Sequence, residues 1–533
     1  MRAVERLVPY RLAPGWADKA ANGLFYNSPS LSARSGVPVT QKRAGMAVCV
    51  TGLVLAALVP GLMWVVLQAV AAGFFLAMIL FRLAAAALPL RTAPSVTPDE
   101  DQLPVFTILA PVYKEAAILP QLTRALAAID YPPGHLDIKI VMEADDHETI
   151  RAARQQVFDS RFEIVIVPDG TPRTKPRALN YALTFARGGI ITVYDAEDVP
   201  HPGQLRAAAA AFAAGGEKLG CVQAPLNWYN HDSNWLTRQF ALEYAVQFHA
   251  ILPLLSRFGL PLPLGGTSNH FSRNALEAVG GWDAYNVTED ADLGFRLARL
   301  GYRSSVIAPP TLEEAPEHAQ PWIRQRSRWL KGYIQTLAVH LRNPSKLSPF
   351  AAFSLTVTLG AAFLSALLHG PAIILLSGLS GLGVTNLTLP AAGFLLLGYA
   401  ASMFCGIVAI HRAGLQTRWI DVARIPLYWP LQTVAAIIAL VELPIRPYFW
   451  AKTEHGFTKA PEPECPLPSL SPSLSSPPPP LHFPPGRPDG NLIPKRSTPD
   501  PLDATLYHFG ILDAIAGCAS PLLHWYRDRW PLQ

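Results

Sequence analysis

Val105-Phe-Thr-Ile-Leu-Ala110, followed by Pro111-Val-Tyr-Lys-Glu115, is the stretch that decides the fold. The first run reads as a strand buried on both faces, the polar residues after it as a loop, and residues 116–129 as a helix. A second strand, Ile138-Lys-Ile-Val-Met142, follows at once. Phe162-Glu-Ile-Val-Ile-Val167 and Gly189-Ile-Ile-Thr-Val-Tyr194 come next, each near a helical segment such as residues 178–186. Strands alternating with helices predict an α/β domain built on a doubly wound, mostly parallel sheet. Ligands of such sheets sit beyond the carboxyl ends of the strands. The acidic clusters fall at those ends: Glu143-Ala-Asp145-Asp146 after the second strand and Asp195-Ala-Glu197-Asp198 after the last.

Outward from this region the composition changes. The 533 residues are 50% hydrophobic and only 16% charged, too apolar for a plain soluble enzyme of this length. Apolar residues concentrate in 44–90 and 349–450, each longer than one membrane crossing needs. The layout predicts a soluble domain, residues 103–345, between a transmembrane hairpin at 44–91 and a second transmembrane block at 349–450. The first run begins too deep for a cleavable signal peptide and reads as an anchor. It breaks at Pro60-Gly61, and Lys42-Arg43, Arg82 and Arg91 put both of its ends, with the segment 1–43, on the cytoplasmic side. The protein is thus expected in the inner or plasma membrane with its catalytic domain cytoplasmic. Candidate spans in the second block are 351–368, 371–384, 391–410 and 425–445, with the Gly-rich 377–383 as a possible re-entrant turn. Neither three nor four crossings puts both the basic loop 411–424 and Lys452 inside without a re-entrant segment, yet the charges from Arg446 to Lys452 favour the cytoplasm. Residues 459–504, with Pro477-Pro-Pro-Pro480, read as disordered linker, and 505–533 carry no interpretable motif.

The net charge of +5 is modest, and its Arg and Lys residues flank apolar segments, so anionic membrane lipid is the expected partner and nucleic acid is not. Cys49, Cys221, Cys405, Cys465 and Cys518 are scattered without a C-x-x-C pair, which argues against a zinc site or disulfide framework and suits a reducing cytoplasm.

Five clusters could carry chemistry. Tyr113 and Glu115 could hold a nucleoside by stacking and hydrogen bonding, or could belong to a capping loop with a solvated charge. Glu143, Asp145 and Asp146 repel one another unless they bind cations or accept hydrogen bonds from a base or ribose; Asp145 or Asp146 reads equally as the cap of a helix starting near Thr149. Asp195 and Glu197 are hard oxygen ligands, spaced to share Mg²⁺ or Mn²⁺ with a diphosphate, with a helix cap before Pro200 as the competing reading. In Thr288-Glu-Asp-Ala-Asp292, preceded by Gly280-Gly-Trp-Asp283, Asp290 could take a proton from an attacking hydroxyl while Asp292 caps the helix that follows. Gln325-Arg-Ser-Arg328-Trp329 offers Trp329 as a floor for a sugar and Arg328 as a pyrophosphate clamp, or a helix lying at a lipid surface.

In this order the clusters resemble the family-two glycosyltransferases, in particular the membrane-integrated branch containing cellulose and hyaluronan synthases and ceramide glucosyltransferase, over about residues 103–456. The most specific elements are Asp195-x-Glu197, Thr288-Glu-Asp290 and Gln325-x-x-Arg328-Trp329. The resemblance implies a GT-A-like domain in which Tyr113 and Glu115 line the nucleoside pocket. Glu143 stands where the family has an Asp that contacts the base, with Asp145 as the other candidate. Lys175, in Lys175-Pro-Arg-Ala-Leu-Asn180, lies near the donor, and Asp195 and Glu197 bind the metal. Asp290 is the implied base, Glu289, Gln325 and Trp329 meet the acceptor, and Arg328 meets the diphosphate. Phe449-Trp-Ala-Lys-Thr-Glu-His-Gly456 resembles a gating loop, placed at 451–458, with His455 where the synthases have Lys. The implied chemistry is inverting transfer from a nucleotide-sugar donor, UDP favoured, with Mg²⁺ or Mn²⁺. A growing polysaccharide is the expected acceptor and a lipid the alternative; a silent receptor or scaffold is the reading from another class.

Overall fold

The structure is a computed structural model that describes residues 4–6, 14–88, 98–156, 159–383, 385–416, 418–449 and 461. The expected gating loop beyond Phe449, the linker 459–504 apart from Pro461, and the segment 505–533 lie outside the described residues.

The chain begins with β1 (Val4–Arg6) and α1 (Pro14–Asn27), then α2 (Val39–Leu58) and α3 (Pro60–Ala87). The domain follows: β2 (Phe106–Val112), α4 (Leu119–Ala127), β3 (Leu136–Glu143), α5 (His147–Gln155), β4 (Phe162–Val167), α6 (Lys175–Leu183) and β5 (Ile190–Val193). These strands pair in parallel in the order β1, β4, β3, β2, β5, so their carboxyl ends share one edge. Near-continuous Val, Ile and Leu make them buried on both faces, as a helix-covered parallel sheet requires. Lys139 is a charged residue inside this sheet; Asp137 at 2.8 Å and Glu163 hold its ammonium.

Next come β6 (Val199–Pro200), α7 (Gln204–Gly215), β7 (Leu219–Gln223), β8 (Leu226–Trp228), α8 (Trp235–Val246), α9 (Leu252–Arg257), β9 (Asn269–Ser272) and α10 (Arg273–Ala278). The domain closes with α11 (Glu289–Arg299), β10 (Arg303–Val306), β11 (Thr311–Glu313) and α12 (Ala319–His340). Strand β9 runs antiparallel between β5 and β7, which brings the loop before it to the carboxyl edge of the parallel strands. Strands β6, β11 and β8 form a small second sheet. The expected doubly wound, mostly parallel sheet is therefore present.

One local expectation is corrected, and one segment shows packing that the sequence did not indicate. The loop read at 111–115 starts later, because β2 continues through Val112. The mixed segment before Arg43 packs on the domain. Ala20 and Leu24 of α1 are buried, Asn180 donates to the Ala20 carbonyl at 2.9 Å, and Asp283 accepts from Ala33 N at 2.6 Å.

The last helices are α13 (Pro349–Leu355), α14 (Ala361–Gly381), α15 (Thr385–Arg412), α16 (Trp419–Ala423) and α17 (Ile425–Ile445). The separate runs 351–368 and 371–384 are one continuous helical stretch, Pro349–Gly381, with a π turn at Thr356–Gly360 and Pro371 inside. Among the described residues five helices are long and apolar enough to cross a membrane: Val39–Leu58, Pro60–Ala87, Pro349–Gly381, Pro390–Arg412 and Ile425–Ile445. Helix α17 lies along α12. Trp322 Nε1 donates to Tyr428 OH at 3.1 Å, Lys331 pairs with Glu442 at 3.0 Å, and Gln335 donates to the Pro447 carbonyl at 2.9 Å. Both ends of α17 are tied to the domain, the first through Asp421 to Arg238 at 3.2 Å and the second through the Phe449 carbonyl to Lys331 at 3.0 Å.

Candidate active site

The functional groups gather at the carboxyl edge of the sheet. Glu143 ends β3, is buried, and faces Arg177 at 3.4 Å. Burial pushes its carboxyl up to about 7, against the pull of Arg177 and Arg173. Asp145 pairs with Arg173 at 2.6 Å and accepts from Tyr113 OH at 3.3 Å, so Tyr113 and Asp145 share a cluster with a cation the sequence reading passed over. Asp146 is structural: it caps α5 by accepting from Thr149 N at 3.2 Å and also accepts from Lys114 N at 2.5 Å. Glu115 follows, with its backbone N–H donating to Thr149 Oγ1 at 3.2 Å.

Lys175, at the start of α6, links the next two groups. Its Nζ lies 2.5 Å from Asp195 Oδ1 and 2.7 Å from the Gly266 carbonyl. Burial alone would lower its ammonium, but the carboxylates of Asp195, Glu289 and Asp290 outweigh that and hold it above the usual lysine range. Burial, then the charge of Asp195, pushes Glu197 up to about 8. Asp198 holds the turn, accepting from Asp195 N at 2.7 Å and from Thr267 Oγ1, while its Oδ1 has no hydrogen-bond partner among the described residues. Behind them stands Glu313, buried on β11 and pushed well above the carboxylate range by burial and these same acids. Buried together, these acids raise one another's carboxyls, and a divalent cation beside them would favour their ionised forms. Among the described residues no three such groups converge as a ready cage. A cation on Asp195 and Glu197 would take its other ligands from a diphosphate and water.

Asp290 sits in the first turn of α11 and accepts from Ala291 N at 2.7 Å. Burial raises its carboxyl, opposed by that N–H and by Lys175 and Arg328. Its neighbour Glu289 is pushed up to about 7 by burial and by the charge of Asp290. Asp292 is spent elsewhere. Burial would raise it, but Arg296 at 2.6 Å and His340 at 3.1 Å outweigh burial and hold it below its ordinary value.

Helix α12 carries the remaining groups. Burial lowers Arg328 from the usual arginine value, and Glu289, Asp290 and Asp195 oppose that shift, so its guanidinium faces the acid cluster. The Trp329 ring packs against Phe240 and Tyr244, with centroids 6.0 and 6.2 Å apart. The cation stacked on Trp329, at 4.5 Å, is Arg326, which forks onto Glu243 at 2.7 and 2.6 Å. The sequence reading missed Arg326 and Glu243. Arg326 lay between two motif residues and passed as surface charge; nothing local marks Glu243. Gln325 is buried on the same helix, its Oε1 unpaired among the described residues.

All the candidate residues (Tyr113, Glu115, Glu143, Lys175, Asp195, Glu197, Glu289, Asp290, Gln325, Arg328 and Trp329) line one cavity of about 850 Å³, with Asp145 at its rim through Arg173. The cavity continues between α3, α14, α15 and α17, where most of its lining residues are apolar and Arg82, His369, Ser402 and Gln432 are among the polar ones.

Residues 104–332 match the family described as "Glycosyltransferase like family 2", and they form a glycosyltransferase family 2 domain. The beta-monoglucosyldiacylglycerol synthase of Synechocystis sp. is 28% identical over 256 residues, 47% of this chain and 52% of that protein. The cellulose synthase 1 catalytic subunit of Komagataeibacter xylinus is 27% identical over 259 residues, 47% of this chain and 34% of that protein. The chain thus spans about half or less of the length of these relatives. A solved mannosyltransferase from Pyrobaculum calidifontis, in complex with GDP-mannose and Mn²⁺, aligns with a TM-score of 0.45 at 19% identity, over 72% of this chain and 97% of that one.

Proposed function

We propose that this chain transfers a sugar, with inversion at its anomeric carbon, from a nucleotide diphosphate to the hydroxyl of a lipid at a membrane surface. The observation that carries this reading is the single cavity joining Asp195, Asp290 and Trp329 to the apolar helices. Leu67 and Val70 line it from α3 and are 57% and 65% exposed, so the cavity is open along this apolar helix, an opening we read as facing the bilayer. A channel for a polysaccharide would need to shield sugar hydroxyls from hydrocarbon. A sideways opening suits a lipid entering from the bilayer. The glucosyldiacylglycerol synthase similarity agrees with that acceptor class.

The base of the nucleotide would lie against Tyr113, Glu115 and the Glu143 and Asp145 pair, and UDP is the favoured donor. Asp290 takes the proton of the acceptor hydroxyl, whose oxygen then attacks the anomeric carbon from the side opposite the diphosphate. The bond to the diphosphate breaks and its electron pair leaves with the phosphate. Arg328 and Lys175, held in place by the acid cluster, meet that developing charge. Asp195 and Glu197 would hold Mg²⁺ or Mn²⁺, which when bound supplies further charge neutralisation at the diphosphate.

The tied ends of α17 support a topology in which it rests at the membrane surface beside α12. Helices α2, α3, Pro349–Gly381 and α15 then make four crossings, with the domain, the loop after α15 and Phe449 all cytoplasmic.

Replacing Asp290 by Asn tests the mechanism. Transfer should fall about a hundredfold to ten-thousandfold, with affinity for UDP unchanged. A variant that keeps more than half the wild-type rate contradicts the assignment.

A further inference from the structure

The apolar half of the cavity holds a cation that the transfer chemistry does not use. Arg82 lines the cavity from the last turns of α3 and is partly buried. Among the described residues it makes no hydrogen bond and no ion pair; its guanidinium lies 5.9 Å from the Trp429 ring centroid. The other cavity cations have acids. Lys175 has Asp195, Arg173 has Asp145, Arg326 has Glu243, and Arg328 faces Glu289 and Asp290. The carboxylate whose charge reaches Arg82 is Glu243, and that one is already neutralised by the fork of Arg326. A guanidinium in apolar surroundings without a counter-ion is costly.

Its position on α3 indicates what relieves that cost. Leu67, Val70, Phe74 and Met78 line the same cavity and precede Arg82 at helical spacing. At ~1.5 Å per residue this stripe runs about 22 Å from the guanidinium. That is ample for an acyl chain filling one leaflet, roughly half of a ~30 Å hydrocarbon core. A cation at one end of an apolar groove is complementary to an anionic lipid. From Arg82 the Glu243–Arg326 pair leads to Trp329, because the Arg326 guanidinium stacks 4.5 Å from that ring.

We propose that Arg82 anchors the headgroup of an anionic lipid acceptor: its phosphodiester rests on Arg82, its chain lies along α3, and its headgroup hydroxyl reaches Asp290. This rests on the transferase reading above and narrows its acceptor. A base such as Asp290 is useful only to a nucleophile that has a proton to lose, so the accepting group is a hydroxyl and the phosphate serves for binding. Arginine suits that role because its planar fork matches two phosphate oxygens. In the reaction the hydroxyl proton goes to Asp290, the new bond joins that oxygen to the anomeric carbon, and the nucleotide diphosphate departs; the lipid phosphodiester is untouched.

The test offers the full chain, purified in mild detergent, equal amounts of phosphatidylglycerol and diacylglycerol, and weighs the lipid it retains by native mass spectrometry. Wild type should retain phosphatidylglycerol at least tenfold over diacylglycerol. Arg82→Gln should bring the two to parity, and Arg82→Lys should keep part of the preference. Soluble glycerol phosphate in excess should displace little of the retained lipid; displacement as effective as by the lipid itself would reduce the site to a phosphate site and overturn the proposal. Equal retention of both lipids by wild type overturns it too, and that measurement stands even if the variants do not fold. UDP affinity is measured alongside. A wild-type chain that binds UDP but shows no lipid preference sinks this proposal alone, whereas a wild-type chain that binds no UDP sinks the transferase reading beneath it.

Discussion

Glu289 and Asp290 are adjacent acids in one buried turn, and two carboxylates so placed do not ionise independently. Burial raises Asp290 and carries Glu289 to about 7, while Lys175 and Arg328 pull the other way. A base works only when ionised, so transfer should fall as pH drops through these raised values. The acidic limb of kcat/KM should therefore lie clearly above the ordinary aspartate value of about 4. Glu289→Gln removes one of the two like charges and should move that limb to lower pH; an unmoved limb contradicts the coupling. Asp290 could be picked out in the sequence from its place in Thr288-Glu-Asp290, and Asp292 suspected of another role. The reason Asp292 is excluded could not be read. Its partner His340 lies far along the chain and meets it only when α12 packs on α11. Arg173 and Arg326 escaped for the same reason, since a cation's partner is a property of the fold.

Helix α12 holds Arg328 and Trp329 in register with Asp290 through three contacts to the loop before α11. Val287 N donates to Gln335 Oε1 at 3.1 Å, Asn286 Nδ2 donates to Thr336 Oγ1 at 3.0 Å, and Gly332 lies flush against Thr288. A Cβ at residue 332 would meet Thr288 Oγ1 at 2.3 Å and its Cβ at 2.7 Å, so α12 would have to shift. Gly332→Ala should cost about 1–3 kcal/mol of stability, the usual range for overpacking, and should lower kcat more than UDP affinity. A thermal melt and a steady-state assay check both; unchanged kcat would mean that α12 does not set the register. At this scale the strands were legible because their apolar runs are short and bounded by turns. The helices at the chain's edges were not. Pro371 looked like a break, yet a membrane-type helix absorbs a proline when neighbouring groups re-satisfy its backbone. Helix α1 has too mixed a composition for its buried face to show.

For the whole molecule, the sequence left a parity conflict: the domain, the basic loop after α15 and the residues near Lys452 could not all be inside with three full crossings. Hydropathy cannot separate a spanning helix from one of equal length lying at the surface. The proposed surface placement of α17 rests instead on its packing against α12 and on the ties of its two ends to the domain. Single cysteines at positions 382, 415 and 449, introduced one at a time, test the four-crossing topology in intact cells. An impermeant maleimide should add label over wild type only at position 382, between Pro349–Gly381 and α15. Label at 449 from outside would make α17 a crossing helix and undo the topology.

The central claim is that one cavity brings a donor diphosphate and a lipid hydroxyl to Asp290. Its most direct test is the product. The full chain in lipid nanodiscs, given Mn²⁺ and a panel of radiolabelled nucleotide sugars, should move label into the organic-solvent extract as lipid bearing a single sugar. Label that instead stays out of that extract, in chains of many sugars, would contradict the account.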